Sequence, residues 1–160
     1  MAIKEGDKIP SVTLRHLTAE GVQAVPSDEF FAGKKVIVFG LPGAYTRTCS
    51  SRHLPGYVAN AAALKAKGVD AIACLSVNDA FVMSAWGKEH HAGDKVVMLG
   101  DGSAEFTKAI GLELDRVKEG MGIRSQRYAM LIDSGVVKKL HVEKPGEYGV
   151  SSAEAMLEAL

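Results

Sequence analysis

The sequence predicts a single α/β domain, a mixed central sheet flanked by helices, over residues 1–160. Three observations carry this. The runs Val36–Leu41, Val69–Val77 and Lys95–Leu99 have the aliphatic composition of strands buried on both faces. Helix-patterned stretches separate them. Near the end, Asp133-Ser134-Gly135 divides two strand-like runs as a hairpin turn does. With 160 residues, 47% of them apolar, the chain can fill one hydrophobic core, and no repeat or Pro/Gly/Ser-rich linker divides it.

Val12–Leu17 reads as a first strand, paired with Val22–Val25 through a Glu20-Gly21 turn. After Val36–Leu41, residues Leu54, Tyr57, Val58, Ala61 and Leu64 form one apolar helical stripe. Pro55 predicts a kink or break inside it, and Gly68 its end. Val69–Val77 is the next strand. Asn78 is placed to cap a helix reaching about His91, with Asp79 in its first turn. Lys95–Leu99 leads through Gly100-Asp101-Gly102 into a short helix, Ser103–Ile110. Tyr128–Ile132 and Val136–Val142 form the hairpin. Ser151-Ser-Ala-Glu154 reads as a capping box for a last helix whose core face is Ala153, Met156, Leu157 and Leu160. The order β-α-β-α-β-α-β-β-α implies a mostly parallel sheet covered on both faces and closed by an antiparallel hairpin. That is a thioredoxin-like topology.

Lys plus Arg and Asp plus Glu are both 19, so the basic field of a nucleic-acid binder is missing. No apolar run is long enough to span a membrane. The start, Met-Ala-Ile-Lys-Glu-Gly-Asp-Lys, lacks an apolar signal core and carries acids, so a cytoplasmic address is expected. The two cysteines, Cys49 and Cys74, are too few for a disulfide-stapled secreted domain. In a reducing compartment they are either core residues or redox groups.

The segment Leu41-Pro42-Gly43-Ala44-Tyr45-Thr46-Arg47-Thr48-Cys49-Ser50 lies between a buried strand and a helix start. Open α/β sheets place ligand sites in such loops. A cysteine in a first helical turn faces unpaired N–H groups and the positive end of the helix dipole, and both favour the thiolate nucleophile. An ordinary thiol is only a few per cent ionised at pH 7. Full ionisation therefore gains about thirtyfold. Fast thiolate chemistry also needs alignment and polarisation of the bond under attack.

Pro42-x-x-x-Thr46-x-x-Cys49 resembles the active-site signature of the peroxiredoxins. His53-Leu-Pro-Gly56, Ser76-Val-Asn-Asp79, Phe81-Val-Met83, Ala85-Trp-Gly87 and Arg124-Ser-Gln-Arg-Tyr-Ala-Met130 follow in order. Together they are similar to the type II, atypical two-cysteine (peroxiredoxin-5-like) branch across nearly the whole chain. The resemblance implies a thiol-dependent peroxidase for hydrogen peroxide and alkyl hydroperoxides, serving antioxidant defence and redox homeostasis. Cys49 is then the peroxidatic cysteine, oxidised to a sulfenic acid. Thr46 bonds the thiolate and peroxide, Arg127 donates to both, and Pro42 shields the sulfur. Plant members of the branch resolve the sulfenic acid with a cysteine placed as Cys74 is. A disulfide needs Cα atoms within about 7 Å, so unwinding near Thr48–His53 is expected during turnover. Glutathione, glutaredoxin or thioredoxin is the implied reductant, and a homodimer the implied assembly. No organic cofactor or metal is required.

Two positions depart from the branch. Arg47 replaces the usual proline, giving up a preset helical φ while adding a charge expected to favour the thiolate. Tyr45 replaces the usual phenylalanine. Other readings stand beside the peroxidase. Cys74 can be a small core hydrophobe. His53, four residues after Cys49, can share its helix face and ligate a metal, though a third ligand is lacking. Arg124 and Arg127 can be surface ion pairs, and Trp86 a core or interface anchor. A Cys-x-x-Cys oxidoreductase is disfavoured by Ser50-Ser51-Arg52, whereas a peroxide sensor or relay would share the same cysteine chemistry.

Overall fold

In the computed structural model, which describes residues 1–160, β3 (Lys35–Gly40), β4 (Ala71–Ser76) and β5 (Val97–Gly100) form the parallel centre of the sheet. β1 (Thr13–Thr18) pairs antiparallel with β5 and with β2 (Gly21–Pro26). On the other side, β8 (Tyr128–Asp133) pairs antiparallel with β3 and with β9 (Val136–Val142). The seven-stranded order is β2-β1-β5-β4-β3-β8-β9. Antiparallel pairings therefore outnumber parallel ones, correcting the expectation of a mostly parallel sheet. The mixed, thioredoxin-like architecture is as expected.

Alternation along β3 builds two cores. Ile37, Phe39 and Leu41 face one, with Cys49, Tyr57, Cys74 and Trp86. Val36 and Val38 face the other, with Leu14, Phe31, Phe106 and Tyr128. Each fully buried Val, Leu, Ile or Phe among them contributes about 1.5–3 kcal/mol. Phe39 stacks on Tyr57 with centroids 4.0 Å apart, which fixes α2 (Leu54–Ala66) over the sheet. Gly68, at φ +99°, ends that helix. Ser134 and Gly135 both have positive φ, the twist a tight hairpin requires. No helix is long and apolar enough to cross a membrane.

α3 (Ala80–Glu89) begins one residue later than expected. Asp79, not Asn78, is its cap, accepting from the Val82 N–H at 2.8 Å. α5 (Ala153–Ala159) is capped by Ser152 through the Ala155 N–H. The expected Ser151…Glu154 box does not form, because Ser151 is held by Glu143. Three elements are not anticipated by pattern. α1 (Ser27–Phe31) is only five residues long. β6 (Glu113–Arg116) and β7 (Gly122–Ser125) form a separate charged hairpin. α4 (Glu105–Ala109) is shorter than its predicted range.

Candidate active site

β3 delivers the chain into the loop that precedes Cys49. That loop is fastened by side chains from other elements. Asn78 Oδ1 accepts from the Ala44 N–H at 3.0 Å and from the Ser76 hydroxyl at 2.7 Å. Arg124 donates to the Pro42 carbonyl at 3.4 Å and to the Met121 carbonyl at 2.8 Å. A Cβ at Gly43 would lie 2.7 Å from the Arg124 guanidinium, so a side chain there would push the guanidinium aside. Tyr45 holds a left-handed φ of 66°, uncommon for a bulky residue and the kind of backbone strain that gathers at functional loops.

Helical backbone starts at Arg47, and Ser50 N–H donates to Thr46 O at 3.0 Å. Residues Cys49–His53 form a π turn, closed by the Leu54 N–H on the Cys49 carbonyl, before α2 continues. Pro55 has no N–H for an α-type bond, and the wider turn absorbs that loss. The break expected from Pro55 is therefore real, displaced to the turn before it.

Cys49 is fully buried. Arg127 Nη2 donates to its Sγ at 3.2 Å, while Arg127 Nη1 meets His53 Nδ1 at 2.9 Å. Since guanidinium only donates, Nδ1 is the acceptor. The ring proton sits on Nε2, directed at the Ser151 carbonyl at 3.1 Å. Tyr57 OH donates to the same carbonyl at 2.8 Å. Burial, reinforced by the Arg127 charge, pushes the His53 pKa down to about 3. His53 is thus a neutral acceptor at physiological pH, with both nitrogens engaged, and the Cys49–His53 metal reading fails. No group of three metal-ligating side chains occurs elsewhere. Tyr148 covers this cluster, its ring 5.3 Å from His53 and 6.0 Å from the Arg127 guanidinium.

Pro42, Thr48 and Arg127 line a cavity of about 320 Å³ together with Arg116, Lys144 and Glu147. The Thr46 hydroxyl donates to the Gly43 carbonyl at 2.7 Å, not to Cys49. Its oxygen is therefore left as an acceptor. Arg47 is exposed and makes no hydrogen bond or ion pair, so solvent screening weakens its charge at the sulfur. The expectation that it favours the thiolate finds no contact to act through.

Cys74 lies on β4 opposite Phe39 and Met98, fully buried in the same core as Cys49. Both thiols are free. Burial, with the nearby Cys49 adding to it, pushes the Cys74 thiol well up, only partly offset by Arg127. Trp86 is a core residue whose Nε1–H donates to Ser50 Oγ at 3.0 Å, one residue from the reactive sulfur.

The depressed His53 pKa makes a stability prediction. A histidine buried neutral binds fewer protons folded than unfolded. Stability must therefore fall as pH drops from the unfolded value of 6.5 towards about 3, by up to about 1.4 kcal/mol per pH unit. Urea unfolding at pH 7 and pH 5 should show this loss in wild type and a smaller one in His53→Gln. Equal losses in both would remove His53 as the cause.

Residues 4–157 match the Redoxin family. Peroxiredoxin-2E, chloroplastic, of Arabidopsis thaliana is 52% identical over 99% of this chain and 70% of its own length. Peroxiredoxin-2D of the same plant is 48% identical, with 99% and 98% covered. The crystal structure of reduced Prx3 from Vibrio vulnificus in complex with H₂O₂ superposes with a TM-score of 0.95 at 56% identity, covering 98% of each chain. Identity near one half over full length, together with a Pro-x-x-x-Thr-x-x-Cys loop whose sulfur receives an arginine, leaves one assignment. The chain belongs to the peroxiredoxins of the redoxin family, in their type II branch, and is a thiol-dependent peroxidase with Cys49 in the peroxidatic position.

Proposed function

We propose that the Cys49 thiolate attacks one peroxide oxygen while Arg127 neutralises the charge moving from sulfur to the leaving oxygen. An S–O bond forms and the O–O bond breaks. Sulfur gives two electrons, leaving Cys49 as a sulfenic acid. The departing alkoxide or hydroxide takes a proton and leaves as alcohol or water. The observation carrying this reading is the Arg127 fork, one amino group 3.2 Å from Sγ and the other 2.9 Å from His53. Thr46, its proton committed to Gly43, accepts the peroxide's O–H and so orients the bond. Pro42 forms a wall of the entry. Trapping the sulfenic acid with a dimedone-type reagent after a single oxidation tests the step, and label on any residue other than Cys49 would count against it.

Cys74 is the proposed resolving cysteine. Its buried thiol is held protonated, and a thiol must ionise to attack. Resolution therefore proceeds through unwinding of the π turn, which brings the two sulfurs together and wets the site. Cys74→Ser should leave the first oxidation by hydrogen peroxide unchanged. Turnover with a thioredoxin-type dithiol should drop at least about tenfold, because no protein disulfide remains for exchange. Undiminished dithiol turnover in this variant would return Cys74 to the role of a core residue. Glutathione and glutaredoxin are the proposed alternative reductants, reaching the sulfenic acid directly.

The two free thiols fit a reducing compartment, and the cytoplasm is the one proposed. A homodimer is proposed, with Tyr45 of the site loop and Phe81 of α3, 51% and 63% exposed, as candidate contacts.

A further inference from the structure

We infer that Glu143 is a positioning residue for the peroxidase site, fixing Ser151, whose carbonyl fixes His53, which in turn holds Arg127 against Cys49. This rests on the peroxidase reading above and adds to it a group that touches no reacting atom.

Three donors converge on one carboxylate oxygen. Glu143 Oε2 accepts from the Ser151 hydroxyl at 2.6 Å, the Ser151 N–H at 2.8 Å and the Gly149 N–H at 2.7 Å. Burial alone would raise the pKa of this nearly buried acid, but the bonds from Ser151 and Gly149 outweigh it and hold Glu143 ionised. Three donors on one oxygen suit a full negative charge and suit a neutral amide poorly.

The consequence passes along the chain of contacts. With its N–H and hydroxyl pinned, Ser151 presents its carbonyl inward to His53 Nε2–H and Tyr57 OH. That carbonyl selects the Nε2–H tautomer and leaves Nδ1 bare for Arg127 Nη1. A Ser151 carbonyl turned away would free the ring to protonate Nδ1, and an N–H there would repel the guanidinium. The path also closes on itself. The Glu143 backbone N–H donates to the Arg127 carbonyl at 2.9 Å across the β8–β9 pair. Arg127 is thus gripped at its backbone by the residue that sets, through Ser151 and His53, the position of its guanidinium.

The arrangement also explains why Ser151 does not cap α5. The adjacent Ser152 takes that task, and Ser151 serves the site.

The test is a double-mutant cycle on the rate of Cys49 oxidation by hydrogen peroxide, with wild type, Glu143→Gln, Arg127→Gln and the double variant. Glu143→Gln should slow oxidation about ten- to hundredfold, since a misplacement of about 1 Å costs roughly 10²-fold. In the Arg127→Gln background the same change should have almost no further effect, because the group it positions is gone. ¹⁵N spectra of the His53 ring should show the single Nε2–H tautomer in wild type and a mixture in Glu143→Gln, a signature that general loosening would not produce. Should Glu143→Gln fail to fold, Ser151→Ala removes the shortest of the three bonds and is read in the same cycle. A wild-type oxidation rate in the folded variant, or losses that multiply in the double variant, would overturn the inference. Neither result would touch the peroxidase reading, which fails only if wild-type Cys49 is itself slow to oxidise.

Discussion

Cys49→Ser should abolish peroxide reduction, a loss of roughly 10⁴-fold or more, as when a nucleophile is deleted from other enzymes. Serine nearly preserves the shape of the side chain but cannot supply the chemistry. Its hydroxyl stays protonated near neutral pH, and oxygen offers no two-electron oxidation of the kind that turns a thiolate into a sulfenic acid. The second thiol cannot substitute. Cys74 lies within the central strand β4, burial pushes its thiol well above the ordinary range, and the arginine donor meets the Cys49 sulfur instead, so in the folded protein Cys74 stays protonated. Peroxide consumption by the variant, measured with a dithiol reductant, should match that of the reductant alone. Persistent turnover would mean that the reacting sulfur lies elsewhere.

Arg127→Gln should slow oxidation of Cys49 about 10²–10³-fold, equivalent to about 2.7–4 kcal/mol, the scale for removing one well-placed donor to a developing charge. Two losses combine. The sulfur loses a cationic donor at 3.2 Å. The leaving oxygen loses the positive charge that would meet it. Glutamine keeps much of the aliphatic stem but stops short of His53 Nδ1, which loses the guanidinium donor at 2.9 Å, so loosening of the cluster must be told apart from the lost charge. Second-order rates with hydrogen peroxide, taken beside the urea midpoint, separate the two. A rate within about threefold of wild type would show that Arg127 serves only packing, because charge-assisted donors in buried sites are worth more than that.

The residues around Cys49 were legible because they are local. Pro42, Thr46 and Cys49 lie within eight residues of one loop, and the strand-loop-helix setting follows from composition. The central strands were legible because burial on both faces leaves an uninterrupted apolar run. The supports of the site were not, because they arise from contacts remote in sequence. His53 and Ser151 are 98 residues apart, and no spacing rule joins them. His53 is visible in the sequence as a neighbour of Cys49 on one helix face, where a metal pair would lack a third ligand. What decides against it is the carbonyl and the guanidinium that occupy its two nitrogens. Adjacent serines made a further ambiguity. Ser151 and Ser152 both suit a helix cap, and only the position of Glu143 allots them different tasks. The charged β6–β7 hairpin leaves no such pattern, because it forms a sheet separate from the main one and needs no apolar alternation. Arg47 is the reverse case, a charge conspicuous in sequence that the fold leaves in solvent.

The central claim is that peroxide reacts at Cys49, and one mixing experiment addresses it. Reduced protein is mixed with about one equivalent of hydrogen peroxide, enough for the first oxidation step only. Trp86, the single tryptophan, is followed by stopped-flow fluorescence, since it is bonded to Ser50 beside the reactive sulfur. The product is located by peptide mass in wild type and in Cys49→Ser. The account predicts a fast signal in wild type, with either one added oxygen on the Cys49 peptide or a Cys49–Cys74 disulfide, and neither signal nor mass change in the variant. Slow oxidation that is indifferent to Cys49→Ser would contradict it.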